Sequence, residues 1–147
     1  MHSRKAFYTQ AFTVSMFGAL AVSLIIATSG LFGVKVSATY GVSYGPWLEE
    51  GLKFLFILFL FSKIPLNFRA IPFIGVGFAS IEAIRHIELT GYASPRAFLA
   101  HLVFGLVMAF LFYLVTRANT THLRGILYAL ALLIPAAFHL TYNIYLG

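Results

Sequence analysis

The chain contains no cysteine and no aspartate, and its four acidic residues, Glu49, Glu50, Glu82 and Glu88, stand against ten lysines and arginines in 147 residues. Without cysteine there are no disulfides, no thiolate metal sites and no cysteine nucleophile. No Gly-x-Ser-x-Gly marks a serine nucleophile, and no His-Glu-x-x-His pair marks a zinc peptidase helix. Charge of either sign is sparse: 10% of residues are charged while 61% are apolar, and the mean hydropathy is +0.91. A soluble domain carries roughly 25% charged residues, so this is the composition of an integral membrane protein. The cations stand in short clusters between apolar segments, which makes them topology signals and argues against nucleic acid as a partner.

What is abundant is apolar sequence in long runs. Five stretches, 8–30, 46–62, 71–89, 95–116 and 122–146, are long enough to cross a hydrocarbon core of about 30 Å, which takes ~20 helical residues. The pattern predicts an all-α membrane helix bundle of five spans forming one domain over 1–147, with no internal repeat. Arg4 and Lys5 precede the first run as in a signal peptide, but the length of the run favours an uncleaved span. With the N-terminus inside, the inner loops hold Arg4, Lys5, Lys63, Arg69, Arg117 and Arg124, and the outer ones Lys35, Arg85 and Arg96. That imbalance predicts a cytoplasmic N-terminus and an outward C-terminus. Pro46 and Pro95 suit the first positions of their helices, Ser94 suits an N-cap, and 31–45 reads as an outer loop.

Ionisable groups inside a span cost roughly 2.5–3.5 kcal/mol at the helix centre, so each needs a reason to be there. Glu49 and Glu50 at the head of the second span admit a bland reading, as carboxylates on a helix N-terminus at the level of Trp47. Lys53 follows Glu49 in the favourable i,i+4 order for an ion pair. Glu82 is harder to dismiss, lying about 10 Å below the outer end of the third span, with Arg85 and His86 as possible partners one turn on. His101 is six residues into the fourth span. His139 and Asn143 share a face of the fifth, and Pro135, one turn earlier, frees a backbone carbonyl beside them. His2, His122 and Glu88 fall in tails or loops.

The alternating direction of the spans ties these positions together. Glu49 and Glu50 begin a helix entering from outside, Glu82 is in the later half of one leaving, His101 begins the next, and His139 and Asn143 end the last. All fall in the outer half of the bilayer, with Glu82, His101 and His139 at about the same depth of roughly 10 Å. Four helices that place carboxylates, imidazoles and an amide at one level predict a single polar site. Carboxylate, imidazole and amide together can activate water and stabilise an oxyanion. Adjacent helical residues point about 100° apart, so only one of Glu49 and Glu50 is expected to face the site squarely.

In this order, EExxK (Glu49, Glu50, Lys53), FxxxE (Phe78, Glu82), a histidine on the next span (His101) and HxxxN (His139, Asn143) resemble the PrsW family of intramembrane proteases. That family is related to the CAAX-prenyl endopeptidases, whose motifs run EExxxR, FxxxH and HxxxN; "GFASIEAI" is similar to the YhfC-type relatives. Ala83 stands where PrsW-like sequences often have asparagine. The resemblance covers about residues 45–147. It implies a glutamic endopeptidase in which Glu49 polarises water, Glu50 is a second essential carboxylate and Glu82 takes the place of a water-orienting histidine. It further implies that His139 and Asn143 bind the oxyanion, that His101 lines the cleft, and that the substrate is a membrane-anchored protein or peptide cut on the outer side. No cofactor is implied.

Three alternatives remain open to the residues themselves. His101, His139 and a glutamate such as Glu82 make a His₂Glu set of the kind that holds catalytic zinc. Two histidines at one depth suit haem ligation, or with the glutamates a proton relay in a transporter. A non-enzymatic scaffold would retain the same polar network for stability alone.

Overall fold

In the computed structural model the described residues are 38–63 and 67–145, together with 9, 12 and 13. Among them every regular element is helical: α1 (Ala38–Lys63), a 3₁₀ turn (Phe68–Ala70), α2 (Ile71–Thr90), α3 (Pro95–Arg117) and α4 (Thr121–Tyr145). The expected first span lies almost wholly outside the described residues.

Local chemistry sets the ends of α2, α3 and α4. Asn67 Oδ1 accepts from Arg69 N at the 3₁₀ turn, and Pro72 sits in the first turn of α2 where its missing N–H has no partner to lose. α2 ends at Gly91, whose φ of 78° is the left-handed cap conformation, with its N–H donating to Ile87 O. Ser94 caps α3 by accepting from Ala97 N, ahead of Pro95. Thr120 Oγ1 accepts from Leu123 N at the head of α4, and Arg124 Nε donates across the turn to Ala118 O. Four residues join α2 to α3 and three join α3 to α4, so these helices are antiparallel neighbours.

α1 departs from expectation. It starts at Ala38 and carries Pro46 inside it, so 38–45 is helix where an outer loop was expected. A proline within a helix removes one hydrogen bond, a loss that membrane-type helices tolerate when neighbours satisfy the freed carbonyl. The consequence for Glu49 and Glu50 is direct: they lie three turns into α1 and its first turn holds no acidic residue, so they are not caps on a helix N-terminus.

α2 packs on α3, α3 on α4, and α4 on α1. The α2–α3 contact is a close backbone approach. Gly75 and Ala79 on α2 and Gly105 and Ala109 on α3 are spaced four apart on their helices and all are buried, which is the small-residue pattern that lets helices meet tightly. A Cβ on Gly105 would stand 3.1 Å from Gly75 Cα. Gly105→Val is therefore expected to cost about 1–3 kcal/mol by prising the pair apart, read as a lower Tm in detergent; an unchanged Tm would mean the helices have room to separate.

Two of the helices, Pro95–Arg117 and Thr121–Tyr145, are long and apolar enough to cross a membrane. Large apolar side chains such as Leu55, Phe59, Val103, Phe110, Leu133 and Phe138 face outward, while Glu49, Glu50, Lys53, Glu82, His101 and His139 are buried. Apolar outside and charged inside inverts the soluble arrangement and is the pattern of a membrane protein. Toward the end of the bundle that carries Lys63, Arg69, Arg117 and Arg124, the interior is closed by rings: Phe112 meets Phe54 at 5.0 Å, Tyr128 at 5.5 Å and Phe61 at 6.0 Å between centroids.

Candidate active site

At the other end the buried polar residues converge. Lys53 projects one turn back along α1 and lies between the two glutamates, donating to Glu49 Oε1 at 2.6 Å and to Glu50 Oε1 at 2.9 Å. The i+4 and i+3 spacings make this possible. Both carboxylates thus reach the cluster, although adjacent residues cannot both face it squarely. The 100° between adjacent Cβ directions is overcome by the length of the glutamate side chain and by a cation set midway.

The imidazoles arrive from α3 and α4. His139 Nδ1 lies 3.0 Å from Glu50 Oε1. An ionised carboxylate only accepts, so Nδ1–H is the donor, and in the neutral ring Nε2 is left as an acceptor. Glu49 Oε1 is 3.7 Å from His139 Nδ1 and 3.7 Å from His101 Nδ1, beyond direct hydrogen-bond distance. The two rings meet edge to face, 4.7 Å between centroids. In all, one donor atom from each of Glu49, Glu50, His101 and His139 lies within 4.8 Å of the others, and all four residues are buried.

Phe104 was not singled out from sequence. It stacks on His139 at 5.2 Å and 24°, and presents its edge to His101 at 5.6 Å, so one buried ring holds both imidazoles in orientation. Its position one turn after His101 is the signal that sequence offered. Tyr142 meets the Phe104 ring edge to face at 6.4 Å.

Four expected site residues remain. Phe78 is fully buried and its ring lies beneath the Lys53 ammonium, 5.9 Å to the centroid. Glu82, also buried, contributes with Glu49 and Glu50 to the negative field at Lys53, but it is not among the four convergent donors. Asn143 is half-buried one turn beyond His139. His86 serves the α2–α3 turn instead of the site: its Nδ1 lies 3.2 Å from Tyr92 O and 3.1 Å from Thr90 Oγ1. The His₂Glu set proposed for zinc changes accordingly, since the glutamates beside His101 and His139 are Glu49 and Glu50.

An apolar groove of about 430 Å³ opens elsewhere, among Phe68, Ile71, Leu106, Phe110 and Ile134. It offers no ionisable side chain and no chemistry. Compared with known proteins, the chain matches no protein-family model, no curated protein and no solved structure.

Proposed function

We propose that the chain is an intramembrane endopeptidase of the PrsW-like glutamic type, hydrolysing a peptide bond of a membrane-anchored protein or peptide. The observation that carries the proposal is the convergence of Glu49, Glu50, His101 and His139, from three helices, on one buried cluster. A purely structural ion pair needs one carboxylate for one lysine; here two carboxylates and two imidazoles surround a single ammonium.

Glu49 is the base. Its Oε1 lies 3.7 Å from the Nδ1 of each imidazole, between the two rings, whereas Glu50 Oε1 holds His139 directly at 3.0 Å; both carboxylates are bonded to Lys53. Water positioned by His139 Nε2 gives a proton to Glu49 as its oxygen bonds to the scissile carbonyl carbon. The carbonyl oxygen becomes an oxyanion, with the Asn143 amide as donor and the Lys53 charge nearby. The proton then passes to the leaving nitrogen as the C–N bond breaks, giving a carboxylate and an amine. In this reading His139 orients water, and the oxyanion falls to Asn143, because the Nδ1–H of His139 is already spent on Glu50.

In this reading α1 and α2 cross the membrane beside α3 and α4, the N-terminus is cytoplasmic, and the cluster lies in the outer half of a prokaryotic plasma membrane; the fifth expected span, 8–30, lies almost wholly outside the described residues. The test is direct: purified protein in liposomes is expected to cleave single-span substrates, and to do so at an unchanged rate in chelator. Activity that disappears with chelator and returns with zinc would replace the glutamic mechanism by a metal one.

A further inference from the structure

The four convergent donors have the composition and spacing of a metal centre. A tetrahedral zinc with bonds of about 2.1 Å holds its ligands about 3.4 Å apart. Three of the separations here bracket that value, 3.0 Å from His139 Nδ1 to Glu50 Oε1 and 3.7 Å from Glu49 Oε1 to the Nδ1 of each imidazole, and all four donors lie within 4.8 Å of one another. A second observation points the same way. Glu50 Oε2 is buried with no hydrogen-bond partner among the described residues, so that carboxylate has ligating capacity in reserve in a place where an unsatisfied oxygen is costly.

Lys53 decides what happens to this set. Its ammonium is bonded to Glu49 Oε1 and Glu50 Oε1, two of the four atoms a metal would take. The Lys53 side chain is only 1% exposed and rests over the Phe78 ring, so its ammonium is held at the glutamates. In a dry site a fixed ammonium and a divalent ion compete for the same oxygens and repel one another. We propose that Glu49, Glu50, His101 and His139 form a latent divalent-cation site of the zinc class, which Lys53 keeps closed. The lysine is the site's built-in cation, and removing its charge opens the cluster to metal. This concerns binding alone, so it stands or falls separately from peptide hydrolysis.

The experiment is a cobalt(II) titration of the full-length chain in detergent, followed by visible absorption and with zinc as competitor. Wild type and Lys53→Arg are expected to take up no stoichiometric ion. Lys53→Met and Lys53→Gln are expected to bind one cobalt per chain, about 100-fold or more tighter than wild type, with the intense bands of a tetrahedral ion. Adding His139→Ala to Lys53→Met should abolish that binding. The proposal is overturned if wild type holds a stoichiometric ion that His139→Ala removes, if the folded neutral variants bind no tighter than wild type, or if binding survives in the double variant. Should the neutral variants prove too unstable to purify alone, zinc added during expression is expected to restore their yield and raise their Tm; no response to zinc overturns the proposal equally.

Discussion

Replacing Glu49 by glutamine is expected to slow cleavage by about 10³-fold while leaving the fold in place, since general-base catalysis contributes typically 10²–10⁴-fold. Glutamine keeps the volume and one oxygen that can accept from Lys53, but it cannot take a proton from water. The lysine also retains Glu50 at 2.9 Å, so no buried charge is stranded. The check is a single-turnover rate beside a thermal melt of the same preparation. A variant with near-normal Tm and full turnover would reduce the cluster to a structural network. Glu50→Gln is predicted to differ in kind, because Glu50 also holds the His139 ring, and its loss of rate should come with a greater loss of stability.

The second large effect is at His139. His139→Ala removes the Nδ1–H donor to Glu50 and the ring stacked on Phe104. Cleavage should fall by about 10²-fold or more, and stability by about 1.5–3 kcal/mol for a lost hydrogen bond to a charged group. The two losses are separable. In His139→Gln the amide N–H₂ can donate to Glu50 in place of Nδ1–H, and much of the stability should return, while the acceptor nitrogen that positions water does not. Parallel melts and rates decide the matter: rescue of both by glutamine would make His139 a structural donor, and rescue of Tm alone is the expected result.

The parts of this arrangement legible in the sequence are those that depend on position along a helix. Long apolar runs gave three of the helices to within a residue or two, and Ser94 and Pro95 mark the start of α3 through chemistry specific to those residue types; the Gly91 cap that ends α2 went unread. Height was legible in part: rise per residue and alternating direction place Glu82, His101 and His139 at about one level with Glu50 a little shallower, and Glu50, His101 and His139 do converge. Rotation about the helix axis was not. Height alone ranked Glu82 with His101 and His139, yet Glu49 and Glu50 supply the convergent carboxylates. His86 illustrates the same gap: its spacing from Glu82 permits a pair, but its ring is held at the turn by Tyr92 and Thr90.

The start of α1 was hidden for a different reason. Proline at 46 after a glycine-containing stretch reads as a helix beginning under rules drawn from water-exposed chains, where a lost backbone bond ends a helix. In α1 the helix continues through it from Ala38, and this moves Glu49 and Glu50 from the helix end to its interior. That shift is what turns two carboxylates from caps into buried groups that need Lys53. The tight α2–α3 crossing was likewise written in small residues, Gly75, Ala79, Gly105 and Ala109, but spacing on one helix does not say which partner it meets.

The central claim is that the Glu49, Glu50, His101 and His139 cluster hydrolyses peptide bonds of membrane-anchored chains. Mass spectrometry of a single-span peptide library incubated with wild-type protein and with Glu49→Gln in the same liposomes tests it most directly. The prediction is cleavage confined to the outer third of the spans, roughly 10 Å from the boundary, present with wild type and absent with Glu49→Gln. An uncut library, or the same products from both proteins, would contradict it.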